Sequence, residues 1–411
     1  MILKGVNDGE LENIEELRKN DFNITIERDF STVLKTDGTE GYNYKYNFVG
    51  FITDSKNDII SVFPKKYRIE DLEADSKKIF RTIFKHKQQR PDMYIGEERE
   101  KHFKANFPFF AFYAVYEHYK KYGVHFEEEL YLKAYGSGKV NWKETIRLSE
   151  KFIIEDKLVM LPIYHNQNLR VNTFIATCMI FVIDYTLDKF HYFIDADKTN
   201  YPFPEFDFLA NIDFVQEMLH SIRSKTYNDI NINLITNIID FFNNINEGGN
   251  YYLKHYSFYA IWEQMIKEYL NQFYLSYTDG QINFSPIPLN NNFLSPNFHP
   301  NLANKNHSFK PDFYLIKDGV QLLFDAKYYD VIGMDYKQIA YLFFLASKRD
   351  SIEQEYPTFT NTHTALIIPS GMRRTTQHFK MDPIFNKEYS SFSISEERLD
   401  ICEIIDFWIN L

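Results

Sequence analysis

The sequence predicts an α+β or α/β protein in which an amino-terminal β-rich and helical region precedes a carboxy-terminal mixed sheet flanked by helices. Two observations support this prediction. Short β-branched and aromatic runs cut by turn residues dominate the beginning of the chain, whereas later segments repeat apolar residues at intervals of three and four. In the last third, the order helix, strand, strand, helix, strand is typical of a mixed sheet covered by helices.

Three regions are expected along the 411 residues. Residues 1–75 form a β-rich region, and residues 76–247 form a mainly helical or mixed middle region. The segment NNINEGGN, from Asn243 to Asn250, breaks both periodicities with two glycines and several asparagines. A further domain therefore occupies residues 248–411. It opens with a helix whose apolar face consists of Phe258, Ile261, Trp262, Met265, Ile266 and Tyr269.

The amino-acid composition limits the classes of protein to which this chain can belong. A hydrophobic content of 44% supports globular folding, and no apolar run is long enough to cross a bilayer. The sequence thus predicts a soluble, cytoplasmic protein without a membrane partner. Cys178 and Cys402 are the two cysteines, which gives no support for a disulfide framework or a cysteine zinc site. The net charge of -11 opposes general nucleic-acid binding, although a basic groove can lie on an acidic body.

One hairpin carries an unusual set of charges. In KPDFYLIKDGVQLLFDAKYYD, which starts at Lys310, a two-residue Asp-Gly turn would place Lys317 opposite Val320. Counting outward then sets Asp312 opposite Asp325, with Cβ atoms roughly 5 Å apart. Lys327 projects from the same face because side chains alternate along a strand. A slip of one residue would move Asp312 to the other face.

This arrangement predicts a metal-dependent hydrolytic site. Two adjacent carboxylates repel each other unless a cation lies between them, and carboxylate oxygens suit Mg²⁺ or, alternatively, Mn²⁺. Such a cation polarises a phosphodiester and lowers the pKa of a bound water, while Lys327 orients or deprotonates that water. The alternative without a functional role is a solvent-exposed hairpin end, where Asp and Lys often occur because they keep the protein soluble.

Pro311, Asp312, Asp325, Ala326 and Lys327 resemble the PD-(D/E)xK signature of the restriction-endonuclease-like superfamily, in its Asp-x-Lys form. The resemblance implies that residues 248–411 are a nuclease domain acting on double-stranded DNA, with a dimer through this domain as a further expectation. It also implies an additional acidic ligand on the preceding helix, for which Glu263 is the candidate. A polar residue on the following helix completes the catalytic set, and Gln338 matches it.

A finer resemblance covers more of the chain. The segments YNFVGFI, ISVFPKKY, GSGKVNWKETI and AIWEQM, in this order, are similar to the LlaJI family of restriction endonucleases and to McrC-type subunits. Such proteins act with an McrB-like AAA+ GTPase that recognises DNA. The resemblance implies that this chain supplies cleavage, and that the β-rich region 1–75 binds the partner.

Other chemistries have weaker support. GSGKVNW lacks a phosphate-binding loop, because Lys133 stands where a glycine is needed and Val140 where Ser or Thr is needed. Nucleotide hydrolysis would then come from another polypeptide. No HExxH or GxSxG motif is present.

The sequence therefore predicts a Mg²⁺-dependent DNA endonuclease subunit of a restriction system. Two alternatives stay open at this point. One is a regulatory or scaffolding subunit that stimulates an AAA+ NTPase, and the other is a stand-alone DNA repair exonuclease.

Overall fold

The structure of the protein, a computed structural model, describes residues 3–34, 42–94, 101–245, 248–304, 306–346, 361–385 and 392–411. Helices and strands are mixed along the chain and form mixed sheets flanked by helices, which confirms the predicted fold class. None of the helices in these ranges is long and apolar enough to cross a membrane.

The chain divides into two compact units. The first comprises Met1–Phe107, Tyr192–Ile194 and Asn246–Leu411, and the second comprises Pro108–His191 and Asp195–Ile245. The predicted limits of residues 1–75, 76–247 and 248–411 divide the chain differently. The assignment of a β-rich region, a mainly helical or mixed region and a further domain to these ranges stays a prediction.

The strands of the described residues are, in chain order, β1 (Leu3–Asn7), β2 (Leu11–Glu12), β3 (Phe30–Leu34), β4 (Tyr42–Tyr46), β5 (Val49–Thr53), β6 (Ile59–Phe63), β7 (Phe103–Ala105), β8 (Phe126–Ala134), β9 (Lys139–Val140), β10 (Glu150–Ile154), β11 (Lys157–Leu161), β12 (Tyr164–Asn172), β13 (Tyr252–His255), β14 (Tyr274–Thr278), β15 (Gln281–Phe284), β16 (Phe313–Lys317), β17 (Val320–Ala326), β18 (Asn361–Ser370), β19 (Arg374–Lys380) and β20 (Ser393–Asp400). The α-helices of these residues are α1 (Ile14–Lys19), α2 (Ile26–Asp29), α3 (Leu72–Gln89), α4 (Phe109–Tyr122), α5 (Trp142–Leu148), α6 (Phe174–Lys189), α7 (Ile212–Ser224), α8 (Asp229–Asn244), α9 (Phe258–Phe273), α10 (Tyr336–Ala346) and α11 (Ile401–Asn410).

The amino-terminal part of the first unit is built on a five-stranded sheet of order β1-β6-β5-β13-β7. β1 runs parallel to β6, and the remaining pairs are antiparallel. A smaller antiparallel sheet, β2-β4-β3, lies in the same unit. β13 belongs to the chain beyond residue 247, so this sheet combines residues from the two ends of the sequence.

The carboxy-terminal part of the first unit contains the sheet β16-β17-β18-β20-β19. It is mixed, because β17, β18 and β20 are parallel neighbours while the two edge strands are antiparallel. Helix α9 buries Phe258, Ile261, Trp262, Met265, Ile266 and Leu270. Five of these belong to the predicted apolar face, and Tyr269 is half-buried. The Trp262 indole N–H also donates to the carbonyl of Ile367 on β18 at 3.3 Å, which joins the helix to the sheet.

The second unit combines helices α4, α6, α7 and α8 with the sheet β8-β12-β9 and the hairpin β10-β11. Helix α6 is apolar on nearly all sides, and it is therefore buried in the core of this unit. It carries Cys178, whose free thiol is buried. Its one buried carboxylate, Asp184, accepts hydrogen bonds from the N–H and hydroxyl of Thr199 at 2.8 and 2.9 Å. A buried charge is tolerated where such donors satisfy it.

Candidate active site

The hairpin of β16 and β17 has the register that its Asp-Gly turn predicts. Lys317 faces Val320, and the two turn residues have φ angles of 53° and 74°, as a type I′ turn requires. By the same register, the position one step beyond the paired strands sets Asp312 against Asp325. The Asp312 carboxylate bends toward β17, where its Oδ2 accepts a hydrogen bond from the Ala326 N–H at 2.9 Å. The predicted register of the hairpin is confirmed from Phe313 opposite Phe324 to Lys317 opposite Val320, and the role of the two acidic residues beyond it stays a prediction.

Two lysines meet the carboxylate of Asp325. The Lys327 Nζ lies 2.6 Å from Oδ2, and the Lys337 Nζ lies 3.2 Å from Oδ1. Asp325 is buried, whereas both lysines keep part of their side chains in solvent. The strand therefore brings Asp325 and Lys327 together as the sequence indicates, and helix α10 adds a second ammonium group through Lys337.

Asp312 and Glu263 lie in the field of the same acidic cluster. Burial, together with the negative charges of Asp325 and Glu263, raises the pKa of Asp312 to about 7 against the opposing charge of Lys337. Partial burial and the charge of Asp325 also raise the pKa of Glu263, although its side chain reaches solvent. The three acidic residues predicted as metal ligands thus influence one another electrostatically.

The carboxylate oxygens of Asp312 and Asp325 are ligands that suit a hard divalent cation. Within the described ranges, no three His, Cys, Asp or Glu side chains are gathered closely enough to hold a metal ion together. The pair of Asp312 and Asp325 offers oxygen ligands of the type that Mg²⁺ prefers. Oδ2 of Asp325 is buried and meets Lys327 as an ion pair without a hydrogen bond of good geometry. A cation near this pair would oppose the burial and the repulsion between carboxylates that raise the pKa of Asp312.

Lys327 is held in its charged form by two carboxylates. Burial works against the ammonium, but Asp325 and Asp335 outweigh it and raise the pKa of Lys327. The Asp335 carboxylate lies 3.1 Å from Lys327 Nζ and also accepts a hydrogen bond from the Gln338 N–H at 3.1 Å, at the start of α10. In this arrangement Lys327 suits the role of a proton donor or a positive charge rather than that of a base.

Gln338 lies on the face of helix α10 that packs against the sheet. It is buried, and its side-chain N–H group donates to the carbonyl of Leu323 at 3.0 Å and to the hydroxyl of Thr364. These bonds join the helix to β17 and β18. The amide nitrogen of Gln338 is therefore hydrogen-bonded to the sheet rather than directed at the acidic cluster. The catalytic role of Gln338 stays a prediction.

A chain of polar contacts continues from Asp335 to the far strands of the sheet. The Asp335 N–H donates to Nε2 of His378 on β19 at 3.3 Å. Nδ1 of His378 lies 2.9 Å from Glu396 on β20, which in turn is bound by Arg398 at 2.9 Å. Because Nε2 accepts and Nδ1 faces a carboxylate, the neutral Nδ1–H tautomer satisfies both contacts. The start of α10 is thereby held by β19 and β20.

Sequence reasoning missed Lys337 and Asp335. It favours Gln338 as the residue of the helix that faces the site. The available signal is the spacing: residues adjacent on a helix are rotated by about 100°. Once Gln338 is directed toward the sheet, Lys337 projects toward the ends of the strands.

Comparison with known proteins gives the following findings. No family model matches the chain, and no curated protein matches it. The chain is similar to a chain of the half-complex from the tetradecameric assembly of Thermococcus gammatolerans McrB AAA+ hexamers with bound McrC. The TM-score is 0.36 and the identity 10%, over 99% of this chain and 98% of that chain.

It is also similar to a chain of the Thermococcus gammatolerans McrBC complex, with a TM-score of 0.25 and 10% identity over 65% of this chain and 87% of that chain. Both TM-scores denote a low overall likeness. The function proposed below therefore rests on the residues of this chain.

Proposed function

We propose that this chain is a Mg²⁺-dependent DNA endonuclease and the cleavage subunit of a restriction assembly. The observation that supports the proposal is the convergence of Asp312, Asp325 and Lys327 at the ends of one hairpin, in a partly open corner of the mixed sheet. A closed structural cluster would have no need of carboxylates that repel one another. A site that binds a cation and a phosphodiester does need them.

Each residue has a distinct role in the proposed reaction. Asp312 and Asp325 would hold the divalent cation, and Glu263 would add negative charge from α9. The bound cation would supply Lewis-acid activation of the phosphodiester and of water. Lys327 donates to a phosphate oxygen or orients the attacking water, because its ammonium stays charged beside Asp325 and Asp335. It thereby stabilises the charge that develops in the transition state.

Lys337 supplies a second positive charge on the solvent side. Its Nζ contacts Asp325 and lies 5.3 Å from the centre of the Tyr341 ring. A phosphate approaching the cluster would meet this ammonium first, because Lys337 is more exposed than Lys327. Lys337 therefore joins the proposed site as a contact to the DNA backbone, where lysine acts as a point charge.

The proposed partner is an McrB-like AAA+ GTPase. The support is the sequence resemblance to LlaJI and McrC-type subunits, together with the failure of GSGKVNW to form a phosphate-binding loop. The second unit also presents an exposed apolar surface on α5 and on the hairpin β10-β11, including Trp142, Ile153 and Leu158. Exposed apolar surface of this kind is typical of a protein interface. A restriction role would place the chain in the cytoplasm.

The decisive experiment is the substitution Lys327→Ala, assayed on plasmid DNA with Mg²⁺, the partner GTPase and GTP. Cleavage should fall by about 10³-fold or more, because the variant lacks the charge that stabilises the transition state. Lys317→Ala is the matched control: it changes a lysine in the same hairpin at the opposite end, where Nζ contacts Asn291. The control should cut as the wild type does, and both variants should keep the wild-type circular dichroism spectrum.

Undiminished cleavage by Lys327→Ala would reject the assignment. Omitting the partner from the same assay tells whether cleavage depends on it. A wild-type chain that never cuts but accelerates GTP hydrolysis by the partner would identify a regulatory subunit instead. Comparing linear with circular DNA separates an exonuclease from an endonuclease.

A further inference from the structure

The residues that follow Lys327 are held by the amino-terminal part of the first unit. Tyr328, the next residue along the chain, is buried, and its hydroxyl accepts a hydrogen bond from the Lys65 N–H at 2.9 Å. The ammonium group of Lys65 lies 4.1 Å from the centre of the Tyr329 ring. Two consecutive residues after the candidate lysine therefore contact the same residue of the amino-terminal part.

The hydroxyl of Tyr328 has a second partner, the carboxylate of Asp8. A hydroxyl that accepts one hydrogen bond still has its own proton to donate, and a buried hydroxyl requires an acceptor for that proton. Asp8 is buried beside Tyr328 and accepts this hydrogen bond. Tyr328 therefore joins a backbone N–H and a carboxylate that both belong to the amino-terminal part of the chain.

The topology of the two sheets explains why these groups meet. Asp8 directly follows β1, and Lys65 comes shortly after the end of β6. Because β1 and β6 are parallel neighbours whose last residues are paired, both groups lie at the same edge of the amino-terminal sheet. Tyr328 comes shortly after the end of β17. The carboxyl ends of three strands from two sheets therefore meet at the hydroxyl of Tyr328.

The ring of Tyr328 also contacts the helix that flanks the candidate site. Its centre lies 5.5 Å from the centre of the Phe258 ring, at the first residue of α9. The same helix carries Glu263, which is predicted as a further acidic ligand. Replacing Tyr328 by Phe would keep the ring and remove only the hydroxyl. The contribution of the hydrogen bonds can therefore be measured separately from that of the packing.

We propose that Tyr328 is a positioning residue, through whose hydrogen bonds with Asp8 and Lys65 the amino-terminal sheet sets the position of Lys327. This inference rests on the proposed nuclease function and names how its lysine is held in place. The Cα atoms of neighbouring residues are about 3.8 Å apart, so a shift of Tyr328 displaces Lys327. Packing alone requires only an apolar ring, whereas hydrogen bonds are directional and fix where that ring lies.

The position of Lys327 matters because its ammonium group lies between two carboxylates. Its Nζ is 2.6 Å from Asp325 and 3.1 Å from Asp335, and contacts of this length are lost after a small displacement. Misplacing a reacting group by about 1 Å can lower a rate by about 10²-fold. The loss of one hydroxyl allows a smaller shift, so we expect a smaller loss of rate.

The test is a double-mutant cycle on the cleavage of plasmid DNA at pH 8, with the full-length chain, Mg²⁺, the partner GTPase and GTP. Tyr328→Phe and Asp8→Ala should each lower the rate at saturating DNA by about tenfold. The DNA concentration that gives half of the maximal rate should stay within about twofold of the wild-type value. The variant with both substitutions should be within about twofold of either single variant, because both remove the same hydrogen bond.

Two control variants leave this hydrogen bond in place. Asp8→Asn keeps a side-chain oxygen that accepts from the Tyr328 hydroxyl, so its rate should be within about twofold of the wild-type rate. Tyr329→Phe removes a hydroxyl from the adjacent, more exposed residue and keeps the ring that Lys65 contacts. It should cut as the wild type does. All four single variants should keep the wild-type circular dichroism spectrum.

A second measurement does not depend on cleavage. Trace acetylation followed by mass spectrometry measures how fast each lysine reacts. In the wild type, Lys327 should react slowly because two carboxylates hold its ammonium group in the charged form. Tyr328→Phe and Asp8→Ala should each raise the rate of acetylation at Lys327 by about threefold or more, because the ammonium moves away from these carboxylates. Lys317, in the same hairpin, should react at an unchanged rate.

Several results would overturn the proposal. One is a wild-type rate of cleavage in both Tyr328→Phe and Asp8→Ala. Another is an additive loss in the variant with both substitutions, because the two residues would then act independently. Slow cleavage with unchanged acetylation of Lys327 would show that Tyr328 acts through a different group. An Asp8→Asn variant as slow as Asp8→Ala would show that the charge of Asp8 matters rather than its hydrogen bond.

Failure of this inference and failure of the nuclease function are distinguishable. If the wild type never cuts, the nuclease function fails, and the acetylation of Lys327 in Tyr328→Phe and Asp8→Ala still decides whether Tyr328 positions it. If the wild type cuts and both variants match it in cleavage and in acetylation, the positioning role fails and the nuclease function stands.

Discussion

Two aspartate–lysine pairs in the first unit have the same Nζ–O distance but different surroundings. Asp29 and Lys254 lie 2.6 Å apart with side chains 0% and 3% exposed. Asp325 and Lys327 also lie 2.6 Å apart, but Lys327 is 25% exposed. Asp29 also accepts hydrogen bonds from the Tyr256 hydroxyl at 2.8 Å and the Thr25 N–H at 2.6 Å. The first pair is a closed cluster in which the carboxylate is satisfied.

The second pair has neighbours of the opposite kind. Around Asp325, the further groups are the ammonium of Lys337 and two carboxylates, Asp312 and Glu263, which carry the same sign of charge as Asp325. Distance between lysine and aspartate therefore does not distinguish a structural ion pair from a candidate site. The distinguishing features are surplus like charge and access to solvent. Both are properties of the surroundings rather than of the pair.

The largest expected effect is a difference in the free energy of unfolding when the lysine of each pair is replaced. Lys254→Met should lower the free energy of unfolding by about 3–5 kcal/mol, because it leaves Asp29 buried without its cation. Lys327→Met should lower it by less than about 1 kcal/mol, because Lys327 is partly exposed and Asp325 keeps Lys337. Urea unfolding of both variants, followed by circular dichroism, provides the measurement.

The double variant Asp29→Asn with Lys254→Met serves as the control for this comparison. It removes the uncompensated charge and should recover at least half of the lost stability. Equal losses for the two lysine variants would show that the pair at Asp325 is as structural as the pair at Asp29. The distinction drawn from their surroundings would then fail.

A smaller effect of the opposite sign is expected at Asp312. Asp312→Asn should raise the free energy of unfolding at pH 8 by about 1–2 kcal/mol, because it removes one of the carboxylates that repel each other. The amide oxygen can still accept the hydrogen bond from Ala326. The same variant should lose DNA cleavage, because the proposed cation would lose a charged ligand.

Urea unfolding and the plasmid assay measure the two consequences of Asp312→Asn independently. Asp318→Asn, in the turn of the same hairpin, is the matched control and should change neither quantity by much, since Asn also tolerates the positive φ at that position. A destabilised Asp312→Asn variant that still cuts would indicate that Asp312 is structural.

The sequence was sufficient to predict the register of the β16–β17 hairpin because its determinants are local. A two-residue turn sets the register, and the register places Asp312 opposite Asp325 without any tertiary information. Lys327 follows by strand alternation. The mixed sheet was also predictable, because the order of elements and the apolar face of α9 are both visible in the residues.

The other contacts depend on geometry that no short segment contains. Lys337 meets Asp325 because α10 begins at Tyr336, and a start shifted by one residue would rotate each side chain by about 100°. Asp29 and Lys254 are 225 residues apart, so no local pattern links them. The first unit likewise includes β13 beside strands from the amino terminus, which a linear division at residue 247 does not anticipate.

The effect expected to be the smallest concerns another buried carboxylate, Asp8. Burial raises its pKa to about 6, although Lys65 and a hydrogen bond with Tyr328 act in the opposite direction. Because the folded protein holds this proton more tightly than the unfolded chain does, stability falls as the pH rises through 6. Between pH 5 and pH 8, the wild type should lose about 1.4 kcal/mol of unfolding free energy relative to Asp8→Asn.

Urea unfolding at several pH values tests this expectation, with Glu10→Gln as a control that alters an exposed carboxylate nearby. Stability curves of the wild type and Asp8→Asn that run parallel from pH 5 to pH 8 would contradict it. The result bears on the comparison of the two pairs, because Asp8 adjoins a lysine and a tyrosine whereas Asp312 adjoins two carboxylates. If burial alone raises the pKa of Asp8, then a raised pKa does not by itself identify a catalytic carboxylate. Surplus like charge beside an accessible lysine is then the feature that sets the Asp312 cluster apart.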